Sequence, residues 1–302
     1  MSHAAVVVGA GRMGQAHAAA WEAIGVPVIW AVSPRRRPEL TAAPGARWAT
    51  DLDEALADPA ATIVSICTPT PSHADLAVRA LAAGRHVLLE KPIALTVADA
   101  ERVAAAAERG PAALMVAHVV RFFPGYAALH ERVAAGAVGT PRAVRATRLS
   151  ARSSDAPWLD DERDSGGMIV DFAIHDVDQA NALLGAPLAV TATRAPGDGF
   201  GAPAALTIEY RSGGVAQILA AADLPVGTPF RTSLDVVGDR GVDAVAELPG
   251  DPFREQARYF LQCVTNGTPP ERSPVRAAVE ALRVCRAARE SARTGTRVVL
   301  AE

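Results

Sequence analysis

The stretch "GGMIVDFAIHDVDQANALLG", residues 166–185, sets Asp171 four positions before His175. Read as one helix closed by Gly185, it turns by about 100° per residue, so residues four apart differ by only about 40°. Asp171, His175 and Asp178 then share a polar stripe beside the apolar stripe of Val170, Ile174, Val177 and Leu184. A carboxylate beside an imidazole fixes its tautomer and favours its protonated form, and histidine titrates near neutral pH. Such a pair is suited to moving a proton, although by itself it is also the pattern of a plain helix-surface hydrogen bond. A second reactive group, Lys91, stands between Glu90 and Pro92 in "HVLLEKPIA" at the end of an apolar run.

These groups need elements to hold them. Residues 4–8 read as a buried strand, 13–24 as a helix ended by Gly25, and 28–32 as a second strand. Short apolar runs recur at 62–67, 86–90 and 113–118, with helices predicted over 72–83 and 96–109. Strands alternating with helices imply a parallel sheet with right-handed crossovers. Lys91 then lies at the carboxyl edge of that sheet, where open α/β folds bind ligands. Thr68, Pro69 and His73, in "ICTPTPSHADLA", follow the preceding strand along the same rim as candidate cofactor contacts, with His73 otherwise a structural histidine at a helix start.

After about residue 140, "PRAVRATRLS", "AVTATR", "ALTIEY", "VAQILAAA" and "TSLDVVG" are separated by short turn-like gaps, which predicts an antiparallel sheet. Helices near 251–266 and 274–293 end the chain. The expected fold class is α/β, with domains over 1–120 and 121–302, the second of α+β type on a large, mostly antiparallel open sheet. The final helix is expected to pack back on the first domain.

Gly9-Ala10-Gly11-Arg12-Met13-Gly14 closes the first strand and opens the first helix, the setting in which G-x-G-x-x-G acquires meaning. Gly9 allows the tight turn, Gly11 lets backbone approach a pyrophosphate, and Gly14 lets the helix lie close on the strand. The N–H groups of the first helical turn, at Arg12 and Met13, face the anion. A Rossmann domain holding a dinucleotide is the expectation. The second strand ends at Val32, and the next position, which carries an acid on the ribose in NAD-selective folds, is Ser33. Pro34 and Arg35-Arg36-Arg37 follow. With no acid to repel a 2′-phosphate and with Arg35 or Arg36 able to grip one, NADP is favoured over NAD.

Composition bounds the alternatives. Of 302 residues 50% are hydrophobic and 21% charged, with a net charge of -3, which excludes an intrinsically disordered class and argues against a nucleic-acid partner. Cys67, Cys263 and Cys285 are too far apart for a disulfide framework or a metal site, so reduced thiols and no metal are expected. No export signal is recognisable and no run reaches membrane-spanning length, so a cytoplasmic protein acting on a small molecule is expected. His118 and Arg121, in "VAHVVRFFPGY", are placed to line a substrate mouth or the domain junction, and Trp158 to stack on a sugar face or merely to pack. His17, inside the first helix, reads as structural.

The order of the glycine turn, "EKP" at 90–92 and Gly166-Gly167 followed by Asp171-x-x-x-His175 resembles the glucose–fructose oxidoreductase and inositol dehydrogenase family, Gfo/Idh/MocA. The resemblance spans nearly the whole chain. It implies that Lys91, Asp171 and His175 are the catalytic set, that Glu90 and Pro92 lie near the nicotinamide, that the Lys91–Pro92 peptide is cis, and that the second sheet forms a homo-oligomer interface, in a dimer or tetramer. The reaction implied interconverts a secondary alcohol and a ketone of a sugar or cyclitol. His175 is expected to exchange the hydroxyl proton, Lys91 to donate a hydrogen bond or positive charge to the reacting oxygen, and Asp171 to orient His175 or a neighbouring hydroxyl. Where many members carry three glycines this chain has Gly166-Gly167-Met168, and where some carry Trp-Arg it has Trp158-Leu159, so no substrate-gripping arginine is carried over there. An NAD-retaining glycoside hydrolase, a biliverdin-reductase-like reductase and a non-catalytic dinucleotide sensor compete with this reading.

Overall fold

In the computed structural model, which describes residues 3–34, 40–152, 157–196, 200–245 and 250–301, the apolar runs of the first third become a six-stranded parallel sheet. Its elements are β1 (Ala5–Val8), α1 (Arg12–Ala23), β2 (Val28–Val32), β3 (Arg47–Ala49), α2 (Leu52–Leu56), β4 (Ile63–Ile66), α3 (His73–Ala82), β5 (His86–Glu90), α4 (Val97–Arg109) and β6 (Leu114–Ala117). Every residue of β1, β4 and β6 is buried, which is why these strands read as unbroken apolar runs: helices cover both faces. The strand order is β3-β2-β1-β4-β5-β6, with all pairs parallel. The chain reverses its winding between β1 and β4, and the crevice at such a point is the ligand-binding edge of a doubly wound sheet.

The later elements are α5 (Pro124–Ala134), β7 (Pro141–Ala151), α6 (Glu162–Ser165), α7 (Gly167–Asp171), α8 (Ile174–Leu184), β8 (Pro187–Arg194), β9 (Ala204–Tyr210), β10 (Val215–Leu224), β11 (Arg231–Gly238), β12 (Val242–Ala244), α9 (Pro252–Asn266), α10 (Val275–Thr294) and β13 (Val298–Val299). The second sheet runs β12-β11-β7-β10-β9-β8-β13. It is antiparallel except for β7 and β10, which pair parallel. Helix α8 packs against β7 and β10.

Two compact units result, Met1–Phe122 with Asp251–Val279, and Phe123–Gly250 with Glu280–Glu302. Helix α9 therefore belongs with the first sheet. Its Ala257, Phe260 and Val264 join Val7, Trp21, Ile63, Leu88, Met115 and Phe122 in one apolar core. Burying each of the larger of these side chains stabilises the fold by roughly 1.5–3 kcal/mol.

One expected element differs. The single helix over 166–185 is two, α7 and α8. The N–H groups of Phe172 and Ala173 both reach the Met168 carbonyl, at 2.9 and 3.0 Å, and a new turn opens on the Ala173 carbonyl. Asp171 ends α7 and His175 is the second residue of α8, so the 40° argument for an unbroken helix does not apply between them. No Gly or Pro lies at the break, so residue type gives no warning of it.

Candidate active site

The turn after β1 is built from backbone. Gly9 has φ +93°, a conformation that side chains disfavour, and its N–H donates to the Val32 carbonyl at 2.8 Å. A Cβ on Gly9 would lie 2.7 Å from the Cys67 carbonyl oxygen, and one on Gly14 would overlap the Gly9 carbonyl. Gly11 is the opposite case, because a Cβ there meets nothing within 4 Å. It is the extended N-cap of α1 with no side chain capping the helix, so the first-turn N–H groups stay open, beside exposed Arg12 and half-buried Met13. An open cradle of backbone donors at a helix N-terminus fits a dinucleotide pyrophosphate. Ser33 follows β2, buried, with its N–H on the Ala49 carbonyl at 3.0 Å. Arg35 and Arg36 lie outside the described residues.

Across the winding reversal, Thr68 and Pro69 lie in the loop that follows β4, and β5 ends at Glu90. The buried Glu90 carboxylate accepts from His17 Nε2 at 2.9 Å through one oxygen and from the Lys91 N–H at 3.0 Å through the other. His17 Nδ1 meets Ser65 Oγ at 3.1 Å, and Trp21 Nε1 donates to the same hydroxyl at 2.9 Å. Burial opposes a charge on His17, but the adjoining Cys67 and Glu90 favour one and raise its pKa to about 10. Burial also pushes the Cys67 thiol up, against the opposing pull of the neighbouring His17. Burial alone would raise Glu90, yet the His17 hydrogen bond holds it below the ordinary carboxylate range.

The Lys91–Pro92 peptide is cis. His73 is buried at the start of α3, its Nδ1 2.8 Å from the Pro92 carbonyl and its Nε2 2.9 Å from the Thr68 carbonyl. Burial lowers its pKa, so a neutral ring donates to one of these two carbonyls at a time. Both ring nitrogens thus face backbone, and His73 holds the rim together from beneath. Sequence reasoning passes over one signal at this rim: among 30 Lys and Arg residues, Lys91 is the only lysine.

Asp171 and His175, both buried, belong to the second unit. Helix α8 is fastened by its other residues. Asp176 takes a bidentate pair of bonds from the buried Arg148 of β7 at 2.8 and 2.9 Å, Gln179 meets His130 at 2.8 Å, and the Tyr210 hydroxyl donates to Asn181 at 2.9 Å. Ahead of α7, Trp158 is half-buried in a short turn, and Glu162 is gripped by Arg194 and Arg289. His118 is buried just beyond β6, and Arg121 donates to the Arg272 carbonyl at 3.0 Å, both in the first unit. Cys67 is half-buried, unlike the fully buried Cys263 and Cys285.

The family profile described as "Oxidoreductase family, NAD-binding Rossmann fold" matches residues 4–118, and the "GFO/IDH/MocA C-terminal domain" matches 126–242. The scyllo-inositol 2-dehydrogenase (NAD(+)) of Bacillus subtilis (strain 168) is 28% identical over 288 residues, 84% of this chain and 82% of that protein. The inositol 2-dehydrogenase of Rhizobium meliloti (strain 1021) is 39% identical over 197 residues, which are 63% of this chain and 57% of that protein. The crystal structure of GenD2 from gentamicin A biosynthesis in complex with NAD superposes with a TM-score of 0.91 at 27% identity, covering 100% of this chain and 97% of that one. With both domains matched and the glycine cradle and "EKP" rim in place, the chain belongs to the Gfo/Idh/MocA family of oxidoreductases, and its first domain is that family's NAD-binding Rossmann fold.

Proposed function

We propose that this protein is a nicotinamide-dependent dehydrogenase that interconverts a secondary alcohol and a ketone on a cyclitol or sugar, the class named for its inositol-dehydrogenase relatives. The observation that carries the reading is the single lysine of the chain, set at the carboxyl end of β5 beside the winding reversal. The bound dinucleotide supplies the hydride acceptor and donor. Gly9, Gly11, Gly14 and the first turn of α1 hold its pyrophosphate, with Thr68, Pro69, Glu90 and Pro92 along the rim. His175 takes the hydroxyl proton, Lys91 donates a hydrogen bond to the oxygen as it becomes a carbonyl, and Asp171 orients the imidazole. His118, Arg121 and Trp158 contribute to the substrate mouth.

Ser33 sets no carboxylate against a 2′-phosphate, which favours NADP, whereas the scyllo-inositol relative is named for NAD(+). The ratio of kcat/KM for the two nucleotides decides between them. Val215 and Val237 flank Ala143 on neighbouring strands, with Leu219 further along the same face, each 36–45% exposed. Such a face suits a second copy of this chain, and light scattering after size exclusion tests a homo-oligomer. Among the described residues no helix is long and apolar enough to cross a membrane, and a cytoplasmic location is part of the proposal.

The decisive experiment assays scyllo-inositol, myo-inositol and levoglucosan with NAD and NADP, in the parent and in Lys91→Ala. The parent should turn over at least one polyol, and the variant should lose about 10²–10⁴-fold in kcat while binding nucleotide as before. Undiminished kcat in Lys91→Ala overturns the assignment of the lysine. Tight nucleotide binding without turnover on the panel overturns the proposed substrate class.

A further inference from the structure

Glu90 poses an electrostatic problem for the reaction just proposed. It is a buried carboxylate directly adjacent in sequence to the lysine, and the Lys91 ammonium lies close enough to stabilise the Glu90 charge. An unneutralised carboxylate there would draw that ammonium to itself, raising its proton affinity and misdirecting its donor. His17 answers this from the opposite side. Its ring is 1% exposed, reached from α1, and bonds Glu90 Oε1 at 2.9 Å, while Oε2 remains on the Lys91 backbone N–H. The ring cannot swing away, because Ser65 Oγ holds Nδ1 and Trp21 Nε1 holds Ser65. Four residues from α1, β4 and β5 thus form one buried chain ending on the lysine's own amide.

We propose that His17 is a positioning residue of the active site, the dedicated counter-ion of Glu90, which keeps that carboxylate from capturing the Lys91 ammonium and fixes the backbone from which Lys91 extends. The proposal rests on the reading of Lys91 as the group that meets the substrate oxygen. A histidine that served only the core would bury its ring without reaching, through one carboxylate, the amide of residue 91. The raised pKa of His17 agrees with a counter-ion role.

Because Lys91 is the sole lysine, amine chemistry reads it in isolation, with the terminal amine as internal reference. The intact protein without substrate is treated with an N-hydroxysuccinimide acetate ester at pH 8, and the rate at Lys91 is followed by mass spectrometry. In His17→Gln the carboxylate turns to Lys91, holds it as ammonium and slows acetylation by about three- to tenfold. In His17→Gln with Glu90→Gln no stray charge remains, and the parent rate should return. Turnover of the active polyol with its nucleotide gives the second readout. His17→Gln should lower kcat by about 10- to 100-fold with nucleotide KM within about threefold, and should have no further effect in a Lys91→Ala background. Ser65→Ala, a milder loosening of the same ring, should move both readouts in the same direction and covers the case in which His17→Gln fails to fold.

Acetylation unchanged in both single variants overturns the proposal, as does a kcat loss that persists undiminished in the Lys91→Ala background. If Lys91→Ala itself leaves kcat intact, the catalytic reading falls, while the acetylation rates still decide whether His17 controls the amine.

Discussion

The glycine turn allows stability and binding to be separated by single methyl groups. Gly9→Ala places a Cβ at φ +93°, a backbone conformation that costs an L-residue about 1–2 kcal/mol. The same carbon lies 2.7 Å from the Cys67 carbonyl oxygen and 2.9 Å from the Thr68 nitrogen. An ordinary carbon–oxygen approach is about 3.3 Å, so β1 and β4 must part by roughly 0.6 Å, and both sides of the contact are backbone. Overpacking of this kind costs about 1–3 kcal/mol, giving a combined loss of roughly 2–5 kcal/mol. At about 2–4 °C per kcal/mol for a domain of 150–250 residues, Tm should fall by roughly 4–20 °C. Gly11→Ala should behave differently. Its backbone, at φ -76° and ψ -166°, accepts any residue, and its Cβ meets no protein atom within 4 Å. The only stability loss is that of a poorer N-cap, under about 1 kcal/mol. Yet the methyl occupies the space through which backbone approaches the pyrophosphate, so NAD affinity should drop by about tenfold or more. Calorimetric unfolding and nucleotide titration on both variants supply the data. If Gly11→Ala binds NAD as tightly as the parent, the cradle does not hold the pyrophosphate there.

Two other expectations concern buried charges. Arg148 and Asp176 are at most 5% exposed, so Asp176→Asn strands a guanidinium in the interior and should cost about 3–5 kcal/mol in urea unfolding, whereas Arg148→Met with Asp176→Leu should recover most of it. A single-variant loss below about 1 kcal/mol, the worth of a surface pair, contradicts this. The His17–Glu90 pair should leave a pH signature. His17 rises from 6.5 to about 10, so its contribution is complete below pH 6.5 and fades as pH climbs through about 10. Glu90 is lowered from 4.5, so its contribution is complete above that value and is lost as pH falls through its lowered one. The Tm deficit of His17→Gln should therefore be greatest between about pH 5 and 6.5 and shrink towards pH 10. A deficit constant across that range would deny the pair its charge.

What the sequence disclosed depends on how local each determinant is. The parallel strands are legible because burial on both faces makes "AVVV", "IVSI" and "HVLLE" stand out, and the glycine turn because three backbone constraints fall within six residues. The short turn-like gap between "ALTIEY" and "VAQILAAA" is legible for a similar reason: it holds Gly213, which adopts φ +83° where β9 returns as β10. The pairing of β7 with β10 is not: among the described residues it is the one parallel contact in the second sheet, and its strands begin at Pro141 and Val215 with nothing local to announce the match. Strands β3, β12 and β13, of two or three residues, are too short to carry a period. The break between α7 and α8 escapes notice because no Gly or Pro marks it: it lies in the backbone, where the N–H groups of Phe172 and Ala173 share the Met168 carbonyl.

The site shows the same division in a sharper form. His17 reads from sequence as structural, but its partner lies 73 positions away, so a plain core histidine and the proposed counter-ion of Glu90 look identical until the fold joins them. Lys91 is the converse case, legible in composition without any structure. Twenty-nine arginines meet this chain's other needs for a basic side chain, including the buried bidentate grip on Asp176 that a guanidinium makes best. A guanidinium stays protonated and presents a broad planar fork, whereas an ammonium is a compact donor whose proton affinity responds to its surroundings. The proposed role of Lys91, a donor to an oxygen that becomes a carbonyl, calls for the second kind of group, which is the chemical sense of one lysine among 29 arginines at the end of β5.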